Sequence, residues 1–226
     1  MALYIDRTDA GRQLARELTA YRGRSDVLVL GLPRGGVPVA FEVAQALGAP
    51  LDVFVVRKLG VPGHEELAMG ALASGGTRVL DSEVIAVTGV PEAVLEEVTL
   101  RARAEIERRE QAYRGDRPPI DVAGKVAILV DDGLATGSTM RAAVRALRDR
   151  AAGQVVVAVP VASPDVCARF EPEVDEIICA QTPEPFYAVG LWYDEFTQVS
   201  DDEVRELLDR AASRDGAPPS RDGAPI

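Results

Sequence analysis

The sequence predicts an α/β fold built on a doubly wound parallel sheet, and three features lead to that prediction. Short runs of β-branched and aliphatic residues recur along the chain. Each run is apolar nearly throughout, as expected of strands that are covered on both faces. Helical patterns separate the runs, and strands that alternate with helices are typical of a parallel sheet.

The predicted core elements follow one another at regular intervals. The strands are "DVLVLGL" (26–32), "LDVFVV" (51–56), "KVAILV" (125–130) and "QVVVAVPV" (154–161). Apolar residues at intervals of three and four predict helices in "PVAFEVAQALG" and "TMRAAVRALRDRAAG". These helices are expected to end at Gly48 and Gly153, because glycine favours the left-handed conformation that terminates helices. A further helix is expected over residues 9–21.

An insertion at about residues 71–120 interrupts this alternation. "ALASGGTRVL" predicts a hairpin that turns at Gly75-Gly76. Residues 91–113 begin with proline and predict a long helix, in which Glu97/Arg101 and Glu105/Arg109 are spaced to pair. Its apolar stripe is thin and needs a partner surface, either at the rim of the pocket or on a second subunit. The stripe residues are Val94, Val98, Ala102 and Ile106.

The length of 226 residues predicts one domain over residues 1–212. "SRDGAP" occurs twice near the C-terminus, and its polar, glycine- and proline-rich composition does not support a core. Residues 213–226 are therefore expected to be a disordered tail.

Composition excludes several classes of function. The formal charge of −11 argues against a general nucleic-acid binder, because phosphates require a basic surface. Cys167 and Cys179 do not form a Cys-x-x-Cys unit, so neither a zinc site nor a disulfide framework is implied. No apolar run approaches the roughly 18 residues of a membrane span, and no secretory leader is seen. A cytoplasmic protein without membrane partners is expected.

Two acids and a small turn follow the third predicted strand. Asp131 and Asp132 lie at the carboxyl end of "KVAILV", where ligands bind in doubly wound sheets. The segment Ala135-Thr136-Gly137-Ser138-Thr139 leads into a helix, whose free N–H groups and hydroxyls favour a phosphate. The carboxylates suit vicinal ribose hydroxyls, so a phosphorylated ribose is the predicted ligand. Alternatively, the acids merely open a turn and the hydroxyls cap a helix.

"VAILVDDGLATGST" resembles the phosphoribosyl pyrophosphate motif of type I phosphoribosyltransferases. "GLPRGGVP" looks like their pyrophosphate loop, which implies that Arg34, Gly35 and Gly36 hold the leaving group. Arg57-Lys58 in "VRKLGVPGHEELAMG" resemble the basic pair that opens the flexible catalytic loop of the family. Alone, "PRGG" is a turn and the basic pair is a surface feature. The resemblance covers residues 27–153.

An aromatic cluster in "PFYAVGLWYDEFTQVS" is similar to the base-binding hood of hypoxanthine-guanine phosphoribosyltransferases. The resemblance implies a small hood at about residues 180–200, with Tyr187 or Trp192 against a planar acceptor and Asp194 near metal. Residues 154–185 contain no lysine to meet a 6-oxopurine, so a purine acceptor does not follow. Alternatively, the aromatic residues pack the end of the sheet.

The resemblance implies a Mg²⁺-dependent enzyme that transfers the phosphoribosyl group to a nitrogenous base or related acceptor. Asp131, Asp132, Arg34 and Lys58 would be its catalytic residues. A homodimer is expected. The alternatives are a regulatory sensor of phosphoribosyl pyrophosphate or a nucleotide without turnover, and a hydrolase of phosphorylated sugars. His64, the only histidine, is either a general base or a bystander.

Overall fold

A computed structural model describes residues 2–215, and its centre is a five-stranded sheet. The strand order is β2-β1-β6-β7-β8, and all neighbouring strands are parallel. The doubly wound sheet predicted from the sequence is confirmed. Its strands are β1 (Val27–Gly31), β2 (Leu51–Val53), β6 (Val126–Val130), β7 (Gln154–Val161) and β8 (Glu176–Gln181).

The strands are uniformly apolar because each face of the sheet has its own hydrophobic core. Successive side chains of a strand point to opposite faces. In β1, Val27 and Val29 belong to one core, whereas Leu28 and Leu30 belong to the other. The side chains of β6 and β7 alternate between the two cores in the same way. Every residue of β6 is therefore buried.

Helices cover both faces of this sheet. The first core includes residues of α1, α2, α4 and α7, and the second includes residues of α5 and α6. The helices are α1 (Arg7–Glu17), α2 (Gly36–Leu47), α3 (Ser82–Thr88), α4 (Glu92–Arg114), α5 (Ser138–Asp149), α6 (Pro164–Phe170) and α7 (Asp201–Asp215). A short 3-10 turn, Thr19–Tyr21, completes the predicted N-terminal helical segment.

The two predicted terminal glycines have different roles. Gly48 follows α2 with φ of 67°, as expected for a helix end. Gly153 is not a cap, because α5 ends at Asp149 and the left-handed residue is Ala151, with φ of 56°. A Cβ at Gly153 would lie 2.7 Å from the Gly124 carbonyl oxygen. Gly153 therefore permits a close backbone approach before β7.

The predicted second strand, residues 51–56, is too long. β2 ends at Val53, and Val56 begins a separate antiparallel sheet of β3 (Val56–Val61), β4 (His64–Ala73) and β5 (Arg78–Leu80). Arg57 and Lys58 therefore lie on a paired strand instead of opening an irregular loop. The predicted turn at Gly75-Gly76 is confirmed between β4 and β5, and both glycines have positive φ.

The long predicted helix is confirmed as α4, but its buried face is rotated from the predicted stripe. Val94 and Val98 are half-buried, whereas Ala102 and Ile106 are buried as predicted. The other buried positions are Leu95, Thr99, Tyr113 and Arg114. The buried face differs from the predicted stripe because α4 packs against α7, β3 and β4. Its partner surface therefore belongs to the same chain. The Glu97–Arg101 and Glu105–Arg109 pairs both form.

Two further features concern the C-terminal part. Residues 213–215 of the predicted tail belong to α7, and residues 216–226 lie outside the described residues. Cys167 of α6 and Cys179 of β8 form a disulfide, with Cα atoms 6.7 Å apart, which the sequence did not imply. Folding brings α6 against β8, which sequence spacing does not reveal. No described helix has the length and apolar character that a membrane crossing requires.

Candidate active site

The acid pair and the glycine loop meet at the carboxyl edge of the sheet because β1 and β6 are parallel neighbours. A Cβ at Gly35 would lie 2.0 Å from Oδ2 of Asp132. A Cβ at Gly36 would lie 2.8 Å from the Asp131 Cα and 2.6 Å from the Val130 carbonyl oxygen. The two motifs are therefore in direct contact, and glycine is required at both positions.

The two acids differ in their partners. Oδ2 of Asp132 accepts a hydrogen bond from Nε of Arg7 at 2.8 Å. Oδ1 of Asp131 accepts the Asp132 backbone N–H at 2.9 Å, and Asp131 has no ion-pair partner among residues 2–215. The hydroxyl of Tyr193 donates to the Asp132 carbonyl oxygen. The pair is thus asymmetric, with one acid held by a cation and the other by the backbone.

Desolvation and mutual repulsion control the ionisation of the pair. Burial, together with the neighbouring Asp132 carboxylate, raises the pKa of Asp131 well above its ordinary value. Burial also raises the pKa of Asp132, although the Arg7 guanidinium opposes that shift. A ligand whose hydroxyls donate to these oxygens would stabilise the charged form.

The predicted phosphate cradle is a turn that ends at the N-terminus of α5. Gly137 precedes the helix with φ of 76°, and the structure provides no side-chain cap. The backbone N–H groups at the start of α5 are therefore available to an anion. The side chains of the other four predicted cradle residues are exposed at the sheet edge. They are Ala135, Thr136, Ser138 and Thr139.

Substitution of Gly137 tests how tightly the cradle is built. A Cβ there would lie 2.5 Å from Cε2 of the buried Phe170, whereas a Cβ at Gly48, which has a similar φ, meets nothing within 4 Å. We expect Gly137→Ala to lower the free energy of unfolding by roughly 1–3 kcal/mol more than Gly48→Ala does, through overpacking. Urea denaturation measures both. An equal decrease in the free energy of unfolding for both variants would show that the Phe170 ring moves aside without an energetic penalty.

The predicted pyrophosphate-binding cations, Arg34 and Lys58, and the predicted substrate-binding Arg57 are paired with carboxylates. Nη1 of Arg34 lies 3.8 Å from Oδ1 of Asp201. Nη1 of Arg57 lies 3.7 Å from Oε1 of Glu105. Nζ of Lys58 lies 3.2 Å from Oε2 of Glu66. The cations are partly exposed, which makes these weak surface pairs. A cavity of about 210 Å³ joins Lys58 to Ser138 and Thr139 of the cradle.

The predicted hood contacts Asp132 and Gly133, but its aromatic residues are not equivalent. Tyr187 is 78% exposed. Trp192 stacks on Phe186 with ring centroids 6.2 Å apart, and its buried indole N–H has no hydrogen-bond partner among the described residues. Tyr187 is therefore available to a ligand, whereas Trp192 contributes mainly to packing. Asp194 is exposed, and its backbone N–H donates to the Tyr4 carbonyl oxygen.

Several groups at the site were not identified from the sequence. Arg7 and Asp201 lie in segments without a recognisable motif, and Tyr193 lies in the predicted hood but was given no role there. Tertiary packing brings all three to the sheet edge. His64, in contrast, is exposed at the start of β4 and has no hydrogen bond or ion pair to other described residues through its side chain. The structure therefore provides no partner that would make His64 a general base.

Comparisons with known proteins agree with this geometry. A family model for the phosphoribosyl transferase domain matches residues 5–179. A protein of Mycobacterium tuberculosis, provisionally named a phosphoribosyl transferase, is 51% identical over 211 residues, which are 93% of this chain and 47% of that protein. The chain thus spans about half the length of this relative. An amidophosphoribosyltransferase of Mycobacterium bovis is 30% identical over 73% of this chain and 24% of its own length.

A solved structure is similar throughout the fold. The crystal structure of the protein TT1426 from Thermus thermophilus matches with a TM-score of 0.81 and 41% identity, and covers 92% of this chain and 98% of that one. The family match includes the glycine loop, the acid pair and the cradle. The chain therefore belongs to the phosphoribosyl transferase domain family.

Proposed function

We propose that the protein transfers the 5-phosphoribosyl group from phosphoribosyl pyrophosphate to a nitrogenous base or related acceptor, with Mg²⁺, and releases pyrophosphate. The observation that supports this most is the direct contact between the Gly35-Gly36 loop and the Asp131-Asp132 pair. That contact brings sites suited to pyrophosphate and to ribose within one ligand's length of each other. The cradle that ends at Gly137 follows on the same edge of the sheet.

The proposed roles follow from the charge of each group. Backbone donors of the cradle hold the 5′-phosphate, and the acid pair accepts the ribose hydroxyls. Arg34 and Lys58 neutralise the leaving pyrophosphate when its oxygens replace Asp201 and Glu66. Each displaced pair is worth about 0–1 kcal/mol, so the exchange costs little. The protein therefore acts by orientation and charge stabilisation.

The described residues fit a Mg²⁺ ion that arrives with the substrate. Residues 2–215 contain no group of three metal-binding side chains that would form a complete site. Mg²⁺ usually retains waters and binds to substrate phosphates with one or two carboxylates. Asp194, which is exposed beside the site residue Tyr193, is the proposed carboxylate. When bound, Mg²⁺ would neutralise charge on the pyrophosphate.

Labelled phosphoribosyl pyrophosphate tests the proposal. With Mg²⁺ and a panel of bases, we expect a labelled nucleotide to form in the presence of one class of acceptor. Ligand at 100 times Kd should also stabilise the fold by about 2.7 kcal/mol. Binding without turnover for any acceptor would instead favour the regulatory sensor. Release of ribose phosphate without an acceptor would favour the hydrolase, and an unchanged thermal melt would contradict all three.

Acceptor binding should depend on Tyr187 more directly than on Trp192. The exposed Tyr187 ring offers a face to a planar acceptor, so Tyr187→Ala should weaken acceptor binding by on the order of 1–3 kcal/mol without lowering stability. Trp192→Ala should lower stability, because the indole packs on Phe186. Steady-state kinetics and thermal melts of both variants distinguish these effects. Equal KM increases for acceptor and phosphoribosyl pyrophosphate in Tyr187→Ala would contradict a base-binding hood.

We propose that the protein is a cytoplasmic homodimer. The exposed Leu100 on α4 and Val87 on α3 are 62% and 87% accessible, and they are candidate subunit contacts. Analytical ultracentrifugation at micromolar concentration measures the mass directly. A monomer over the working range of concentration would contradict the dimer and leave the proposed reaction unaffected.

A further inference from the structure

Arg7 connects two parts of the site that are far apart in sequence. Its Nε donates to Oδ2 of Asp132 at 2.8 Å, and its Nη1 donates to the Thr197 carbonyl oxygen at 2.7 Å. Its guanidinium carbon lies 3.9 Å from the centroid of the Phe196 ring. One side chain at the start of α1 therefore contacts both Asp132 of the acid pair and the C-terminal part of the predicted hood.

The burial of this ion pair distinguishes it from the Arg12 pair on the same helix. The side chains of Arg7 and Asp132 are only 11% and 16% exposed. Arg12 pairs with Glu42 at 3.0 Å, but its side chain is 66% exposed. Charge-assisted hydrogen bonds are stronger where water is excluded. The Arg7 pair is therefore placed to control the orientation and ionisation of Asp132.

We propose that Arg7 is a positioning residue for phosphoribosyl binding. It holds Oδ2 of Asp132, while Oδ1 of the same carboxylate accepts no hydrogen bond from the described residues. A ribose hydroxyl would donate to that second oxygen. Through Thr197 and Phe196, the same guanidinium keeps the hood segment against the acid pair. The inference rests on the proposed function, because it assigns Asp132 to the ribose.

Three titratable or charged groups are neighbours of Asp132. Asp131 precedes it in the chain, Arg7 faces it from α1, and the Tyr193 hydroxyl contacts its carbonyl oxygen from the hood. Burial raises the pKa of Asp132, and the Arg7 charge opposes this effect. Without that charge the pKa of Asp132 rises further, and the carboxylate is protonated at a higher pH. A protonated acid is a poorer acceptor for a ribose hydroxyl.

Three variants separate charge from geometry. Arg7→Met removes the charge and both hydrogen bonds, whereas Arg7→Lys retains the charge but loses the planar group that contacts Asp132, Thr197 and Phe196 together. Arg12→Met is the matched control, because it removes an exposed ion pair from the same helix. Carboxyl ¹³C NMR of the unliganded proteins follows Asp132, and calorimetry with phosphoribosyl pyrophosphate and Mg²⁺ measures Kd at each pH.

Arg7→Met should raise the Kd at neutral pH at least about tenfold, the effect expected for a lost charged hydrogen bond. It should also shift both the Asp132 titration and the acidic limb of binding to higher pH. Arg7→Lys should restore the position of that limb while binding remains weaker than in the wild type. Arg12→Met should change neither measurement.

Two results would overturn the inference. One is an Asp132 titration in Arg7→Met that does not move or moves to lower pH. The other is an equal loss of affinity in Arg7→Met and Arg12→Met, which would indicate a general effect of α1. If the wild type binds no phosphoribosyl pyrophosphate, the proposed function is wrong, and the NMR titration alone decides whether Arg7 controls Asp132.

Discussion

Replacement of Arg114 by alanine is expected to lower the free energy of unfolding by roughly 3–5 kcal/mol, because it strands a buried carboxylate. Arg114 is the last residue of α4, and its Nε donates to Oδ1 of Asp52 in β2 at 2.7 Å. Both side chains are less than a tenth exposed. Nη2 of Arg114 also donates to the Val53 carbonyl oxygen, so the same side chain satisfies a second buried acceptor.

The control for Arg114→Ala lies on the same helix. Arg101 pairs with Glu97 on the solvent side of α4, and its side chain is 74% exposed. Arg101→Ala should change stability by less than about 1 kcal/mol, as is usual for surface pairs. Urea denaturation of both variants provides the comparison. A loss below about 1 kcal/mol for Arg114→Ala would mean that water reaches Asp52 and that this contact does not anchor the insertion.

Replacement of Asp131 by asparagine should stabilise the unliganded protein at neutral pH and weaken ligand binding. The pKa of Asp131 is raised above 3.8 in the fold, so the folded state binds more protons than the unfolded state between 3.8 and the raised value. Wild-type stability therefore falls as pH rises through that window. Asparagine removes the buried charge, keeps an oxygen for the Asp132 N–H, and should flatten this dependence.

The neighbouring acid should gain less stability from the same change. Asp132→Asn removes a carboxylate whose pKa is also raised, but it leaves the Arg7 guanidinium without its anion, so this variant should be less stable than Asp131→Asn at neutral pH. Both variants should lose roughly 1.5–3 kcal/mol of phosphoribosyl pyrophosphate binding, because each removes a charged acceptor. Thermal melts between about pH 4 and 8 and calorimetry measure these effects. Parallel pH profiles for wild type and Asp131→Asn would contradict a raised pKa.

The local sequence was sufficient to predict the parallel sheet, the position of the acid pair at its edge and the turn before α5. Uniformly apolar runs identified strands covered on both faces, and the carboxyl end of a parallel strand identified the position of Asp131 and Asp132. The turn at Gly75-Gly76 and the end of α2 at Gly48 were equally local, because positive φ favours glycine. Each of these features depends on a few adjacent residues, so the order of residue types is enough to define it.

Only the tertiary structure determined which distant groups meet at these elements. Arg7 and Asp132 are separated by 125 positions, and Arg114 and Asp52 by 62. No periodicity relates them. The rotated face of α4, the second sheet and the Cys167–Cys179 bond also depend on packing between elements. Such contacts form because the helices and sheets must bury their apolar faces at the same time, and one arrangement satisfies them together. This requirement concerns the whole chain, so no local pattern reveals it.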